Sequence, residues 1–123
     1  MRTSRRCRRF IKRRAMNYGS ALGWVLEDEV ETYLRELLAD NTIASYVRHQ
    51  HHSVDDCAGR DFTVEKRVRN VLVNISFGVT ISATSCTQSR ELHRPIPQFW
   101  FPVWTDKKTI KATILALFKP LPV

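Results

Sequence analysis

Several kinds of protein are excluded by what this chain lacks. With four glycines and no glycine-rich run, it has nothing from which to build a phosphate-cradling loop. Its three cysteines, Cys7, Cys57 and Cys86, are widely spaced and form no CxxC pair, which argues against a disulfide framework and against a finger-like zinc site. Scattered cysteines in odd number fit free thiols in a reducing compartment, so a cytoplasmic location is expected. No apolar run approaches the ~20 residues that a membrane span needs, and no membrane association is expected. Beyond the N-terminal arm there is no internal repeat and no low-complexity tract.

Acid is missing too, but only locally. Residues 1–14, MRTSRRCRRFIKRR, hold eight of the 20 Lys and Arg residues and no acid, leaving 12 basic against 12 acidic residues in the remainder. The net charge of +8 therefore belongs to the arm, and a DNA partner inferred from bulk charge has to act through it. Three readings of the arm stand side by side. It can be a disordered basic tail that attracts phosphates, with strong salt dependence. It can be a targeting segment, although the stretch behind RRFIK is short and interrupted by polar residues. Or it can be upstream sequence preceding a start at Met16. The expected organisation is an arm at 1–15 followed by one domain at 16–123, a length that suits a single core.

The strongest helical signal lies at 21–39, where Leu26, Val30, Tyr33, Leu34 and Leu37 recur at three-and-four spacing. A short strand follows around Ile43, Tyr46 and Val47. DFTVE and VRNVLVNISFGVTIS read as two strands of a hairpin joined around Glu65, Lys66 and Arg67. TQSRELHRP predicts a helix of two turns stopped by Pro95. PQFWFPVW predicts a strand in which Pro102, unable to donate to a ladder, marks an edge position or a strand end. The final segment predicts a helix capped by Thr105 or Asp106, with Ile110, Ile114, Leu117 and Phe118 on one stripe and Pro120 as its stop. This order of helix, three strands, helix, strand and helix predicts an α/β fold with a single mixed sheet flanked by helices.

With GRDF at the start of the second strand and VLVNISF in the third, the arrangement resembles the PD-(D/E)xK nuclease superfamily, the restriction-endonuclease-like fold, over roughly residues 23–118. That family places an acid on its first helix, an aspartate at the start of its second strand and an acid-x-lysine triplet on its third. The resemblance assigns Asp61 to the aspartate, and Asn74 and Ser76 to the acid and lysine of the triplet. A hairpin turned at 66–69 would set Asp61 opposite Asn74. Of the acids on the first helix, Glu27 lies closest to the apolar stripe, about 60° away at 100° per residue, and is the choice for the helix carboxylate.

Hydrolysis of a phosphodiester calls for a hard cation, Mg²⁺ or Mn²⁺, held by carboxylates, and a group that offsets developing negative charge. The resemblance implies that Asp61, Asn74 and Glu27 hold the metal, with Ser76 marking the lost lysine. Asparagine brings no charge and serine no cation, so a degenerate nuclease-like protein with weak or no activity, a pseudoenzyme, is expected. One alternative is a non-catalytic binding or assembly module with a protein partner or a second copy of the chain. The other is an active Mg²⁺-dependent DNA endonuclease with a migrated lysine. Lys66 or Arg69 would serve there, but both sit at the far end of the hairpin. No small-molecule cofactor is implied.

Two further clusters carry less. His49, His51, His52 and Cys57 lack a second pair at zinc spacing and read as solvated loop residues; His93 reads likewise, as a helix-end histidine near the sheet edge. Phe99, Trp100, Phe101 and Trp104 carry no interleaved cations for nucleic-acid stacking and read as core, with protein association as the alternative.

Overall fold

The computed structural model describes residues 19–119; the basic arm at 1–15 and the stop expected at Pro120 lie outside the described residues. The elements are α1 (Gly19–Ala39), β1 (Ser45–Arg48), the single turn α2 (Val54–Cys57), β2 (Phe62–Val68), β3 (Val71–Thr80), α3 (Ala83–Leu92), β4 (Gln98–Trp100) and α4 (Lys107–Ala116). The four strands form one sheet in the order β1-β2-β3-β4. β1, β2 and β3 make an antiparallel meander, and β4 joins β3 in parallel. The protein is thus α/β, with a single mixed sheet and helices packed on it.

The apolar stripe of α1 is buried as its spacing demands: Leu26, Val30, Leu34 and Leu37 are in the core, and Tyr33 packs against it. α4 starts where the Asp106 carboxylate accepts the N–H of Thr109 at 2.9 Å, and it buries Ile110 and Ile114, with Phe118 just beyond. Both helices meet the same side of the sheet, where Phe62 and Val64 of β2 and Phe77 and Val79 of β3 point inward. Phe62 sits opposite Phe77 in the ladder, with ring centroids 5.6 Å apart.

The hairpin turns later than expected. Its last pair is Val68 with Val71, and the two turn residues Arg69 and Asn70 have φ of 52° and 66°. Such a two-residue turn with both residues left-handed matches the twist of the flanking strands. Lys66 and Arg67, which read as turn residues, belong to β2, because the alternation of buried positions runs on through Val68.

Other boundaries shift for local reasons. α3 starts at Ala83 rather than near 87, because the Ser82 hydroxyl accepts the N–H of Ser85 at 3.2 Å, and it ends before Pro95 is reached. β4 is an edge strand of three residues bracketed by Pro97 and Pro102. Of its aromatic neighbours, Phe101 is in the core and Phe99 packs against it. Trp100 and Trp104, expected in the core, are 45% and 81% exposed. Cys86 is a free, buried thiol whose pKa burial pushes up. Cys57 is disulfide-bonded, so the expectation of free thiols does not extend to it. No helix among the described residues is long and apolar enough to cross a membrane.

α1 and α4 are also clamped by charge. Glu36 of α1 faces Lys107 at 2.7 Å and Lys111 at 2.8 Å. Hydrogen bonds from these lysines hold its carboxyl below the ordinary value of 4.5. A carboxyl depressed in the folded state contributes stability that is present above its unfolded pKa and lost as pH falls through the folded one. Glu36→Gln is therefore expected to lower the melting temperature at neutral pH and to flatten the decline of melting temperature with acidification below about pH 4.5, as read from thermal melts across pH 3–7.

Candidate functional site

The loop between β1 and β2 is shaped to deliver one aspartate. Ser53 caps α2 by accepting the N–H of Asp56 at 3.1 Å. Gly59 then takes φ 90°, with the ring of His93 so close that a Cβ there would lie 2.5 Å from its Cγ. The Gly59 carbonyl accepts a 2.8 Å hydrogen bond from the buried amide of Gln98. The main chain thus enters β2 held from both sides.

Asp61 sits where the ladder slips. Its N–H donates to the carbonyl of Phe77 at 2.9 Å, although Phe77 already faces Phe62. Two residues of one strand against one of the other is a bulge, a device that re-aims a side chain. The Asp61 carboxylate is turned toward α1, and its Oδ2 accepts the N–H of Val79 at 2.8 Å.

There it meets two other acids. Carboxylate oxygens of Glu27, Asp56 and Asp61 lie within 4.8 Å of one another. Glu27 is 2% exposed and Asp61 8%. His51 Nε2 is 2.7 Å from Glu27 Oε2, and the His51 ring lies 5.2 Å from that of Trp24. Asp56 Oδ2 accepts the N–H of His52 at 2.9 Å. Arg48 is a cation within electrostatic reach of Glu27, but it is bound to Asp28 at 2.6 Å and Glu31 at 3.2 Å. Burial opposes its charge; those two hydrogen bonds, aided by the field of Glu27, outweigh burial and hold its guanidinium above the ordinary range.

Three carboxylates this close repel one another, the more so where water is excluded. An oxygen-only donor set suits a hard divalent cation; at bond lengths of ~2.1 Å, neighbouring oxygens of an Mg²⁺ octahedron stand about 3.0 Å apart and opposite ones about 4.2 Å. The trio would have to draw together to hold such an ion.

Of the four residues expected at the site, the structure brings Glu27 and Asp61 together and leaves Asn74 and Ser76 out. Asn74 faces Glu65 and Ser76 faces Thr63, not Asp61. The later turn moves the register by four residues relative to the expected Asp61–Asn74 pairing. The two-residue period then puts Asn74 and Ser76 on the sheet face away from α1. Ser76 and Thr63 hydroxyls are 2.7 Å apart there, and Thr63 is 2.7 Å from His49 Nε2. The β3 positions that share the helix-facing side with Asp61 are Ile75, Phe77 and Val79, all apolar. Lys66 lies five residues along β2 from Asp61, about 16 Å at the strand rise, and Arg69 is farther still.

Asp56 was not anticipated. Its signal was the S-x-x-D spacing of Ser53 and Asp56, a helix-start pattern that places the aspartate at the head of a capped turn. His49 and His51 do not share a face: both lie past the end of β1, one on Thr63 and the other on Glu27. Among the described residues, no group containing histidine or cysteine converges as a metal site. No protein-family model, no curated protein and no solved structure matches this chain.

The approach to Asp61 depends on Gly59. Gly59→Ala adds a left-handed backbone penalty to the collision with His93, so it is expected to cost about 1–3 kcal/mol, read as a lower urea midpoint. Adding His93→Ala should restore only the part due to the imidazole ring, because the Cβ of residue 93, 2.7 Å from the added one, remains along with the backbone penalty.

Proposed function

We propose that this chain is a degenerate relative of the PD-(D/E)xK nucleases that retains a divalent-cation site and has weak or no phosphodiesterase activity. The observation that carries the reading is the meeting of a buried helix carboxylate, Glu27, with a buried carboxylate at the head of β2, Asp61. The GRDF context of Asp61 and the sequence of a leading helix, a meander, a helix, a parallel strand and a closing helix support it.

In this reading Glu27, Asp56 and Asp61 hold Mg²⁺ or Mn²⁺. When bound, such an ion polarises a phosphate oxygen and acidifies water. Val79 fixes one oxygen of Asp61 through its N–H, and His51 orients Glu27. The deficit lies on β3, where Phe77 and Val79 stand on the side that would have to supply an acid and a lysine. Arg48 does not replace the lysine, because its charge is already shared between Asp28 and Glu31. Loss of one preorganised donor to a developing oxyanion costs roughly 10²–10³-fold in rate elsewhere, and here the cation and one carboxylate are both missing from the strand.

A second reading, a binding or assembly module, draws on the exposed Trp100, Val103 and Trp104 beside the β4 edge. It does not exclude the first.

Mn²⁺ titration of the full chain, followed by the loss of free-ion paramagnetic signal, is expected to show one site. Asp61→Asn and Glu27→Gln should each weaken it at least tenfold, whereas Asn74→Ala and Ser76→Ala should leave it unchanged. Duplex DNA incubated with Mg²⁺ or Mn²⁺ should be cut slowly or not at all. Mn²⁺ binding indifferent to Asp61→Asn would overturn the site, and rapid cleavage would overturn the claim of degeneracy.

A further inference from the structure

Charge is distributed unevenly over the described residues. Arg35, Arg48, Arg60, Lys107 and Lys111 are each within ion-pair distance of a carboxylate. Lys66, Arg67 and Arg69 are not, and neither are Arg90, Arg94, Lys108 and Lys119, but only the first three lie together on one hairpin. Lys66 Nζ reaches the Arg67 carbonyl at 3.4 Å, and Arg67 Nη1 reaches the Asn70 carbonyl at 3.5 Å. Residues 66–73 contain no acid. Three cations therefore crowd a stretch of four residues, while the rest of the body beyond the arm holds nine basic residues against twelve acidic.

The same stretch stands clear of the sheet. β1 ends opposite Glu65, and β4 pairs no farther back along β3 than Gly78. Residues 66–73 are thus a two-stranded ribbon with no third strand on either side. Val68 and Val73 pack against the core and anchor it, while Arg67, Arg69, Asn70, Val71 and Leu72 are exposed. The tight turn at Arg69 and Asn70 keeps the end narrow.

We propose that the tip of the β2–β3 hairpin seats in the major groove of B-form DNA, with Lys66, Arg67 and Arg69 contacting phosphates. Paired strands ~4.8 Å apart make a ribbon that the ~12 Å groove admits. The deep, narrow major groove of duplex RNA does not admit it. Eight residues of β2 and its turn separate Asp61 from Arg69, about 26 Å at the strand rise. That is the length of seven to eight base pairs at ~3.4 Å each, so one duplex lying along the hairpin spans from its tip to the base of β2, beside which the carboxylate trio lies. The proposal rests on the nuclease-like reading for its ligand and adds a contact surface separate from the arm.

The test compares two variants of the full chain with equal net charge. One is Lys66→Gln, Arg67→Gln, Arg69→Asn; the other is Arg94→Gln, Lys108→Gln, Lys119→Gln, which removes exposed cations on other parts of the fold. Duplex DNA affinity is measured by fluorescence anisotropy over a range of salt. With each phosphate contact contributing about 0.9 to the slope of log K against log salt, the hairpin variant is expected to lose about 2–3 in slope. At least tenfold in affinity should go with it at 100 mM salt. The control variant should lose less than 1 in slope, and duplex RNA should be bound equally by both. Equal losses in the two variants, an unchanged slope in the hairpin variant, or an RNA loss matching the DNA loss would each overturn the proposal. Mn²⁺ titration of the same hairpin variant should give the parent's affinity. A parent that binds no Mn²⁺ sinks the nuclease-like reading while leaving the slope comparison intact.

Discussion

Phe62 and Phe77 stack across the β2–β3 ladder with both side chains fully buried, and the register set by that pair governs every polar position around it. A slip of one strand past the other by one residue would turn one of the two rings toward solvent, at roughly 1.5–3 kcal/mol. With the rings fixed, Thr63, Asn74 and Ser76 are committed to one face of the sheet, and Ile75 and Val79 to the other. Asp61 escapes this alternation because the bulge at its amide gives the strand an extra residue. A carboxylate that regular pleating would have pointed away from α1 is thereby brought to Glu27. The site owes its existence to a local irregularity held in place by two aromatic rings.

The helices and the number of strands could be read in the sequence because their signals are periodic. Leu26, Val30, Leu34 and Leu37 declare a buried helical face whatever lies across from it, and Ile110 and Ile114 do the same for α4. The register was harder to read. Lys66 and Arg67 have the character of turn residues, while the real turn, Arg69 and Asn70, lacks the glycine that usually marks one. Misplacing the bend by two residues displaced every cross-strand partner by four, and Asn74 entered the site only through that displacement. Glu27 and Asp61 are each legible on their own, one from its angle to the helical stripe and the other from its GRDF setting. Asp56 is harder to read, because it reaches the trio through a single turn of helix inside a segment with the character of a loop.

The arrangement of charge follows the same logic of separation. Acids gather at the base of β2, and cations without acid partners gather at the far end of the same hairpin. Between them Arg35 and Arg48 are absorbed by the acids of α1, and Lys107 and Lys111 by Glu36. A composition that is electrically neutral beyond the arm therefore presents a polarised hairpin. Bulk charge conceals this, because it averages over the very distance that matters.

The prolines around β4 have a consequence for the molecule's neighbours. A sheet invites another chain wherever its rim offers a row of free amides, and β4 is such a rim. Here the rim is three residues long, and at Pro97 and Pro102 no amide hydrogen exists to extend it. Backbone zippering of one copy onto the next has too short a template to propagate. What this flank offers a companion instead is the exposed rings of Trp100 and Trp104, so contact there turns on shape rather than on a shared ladder.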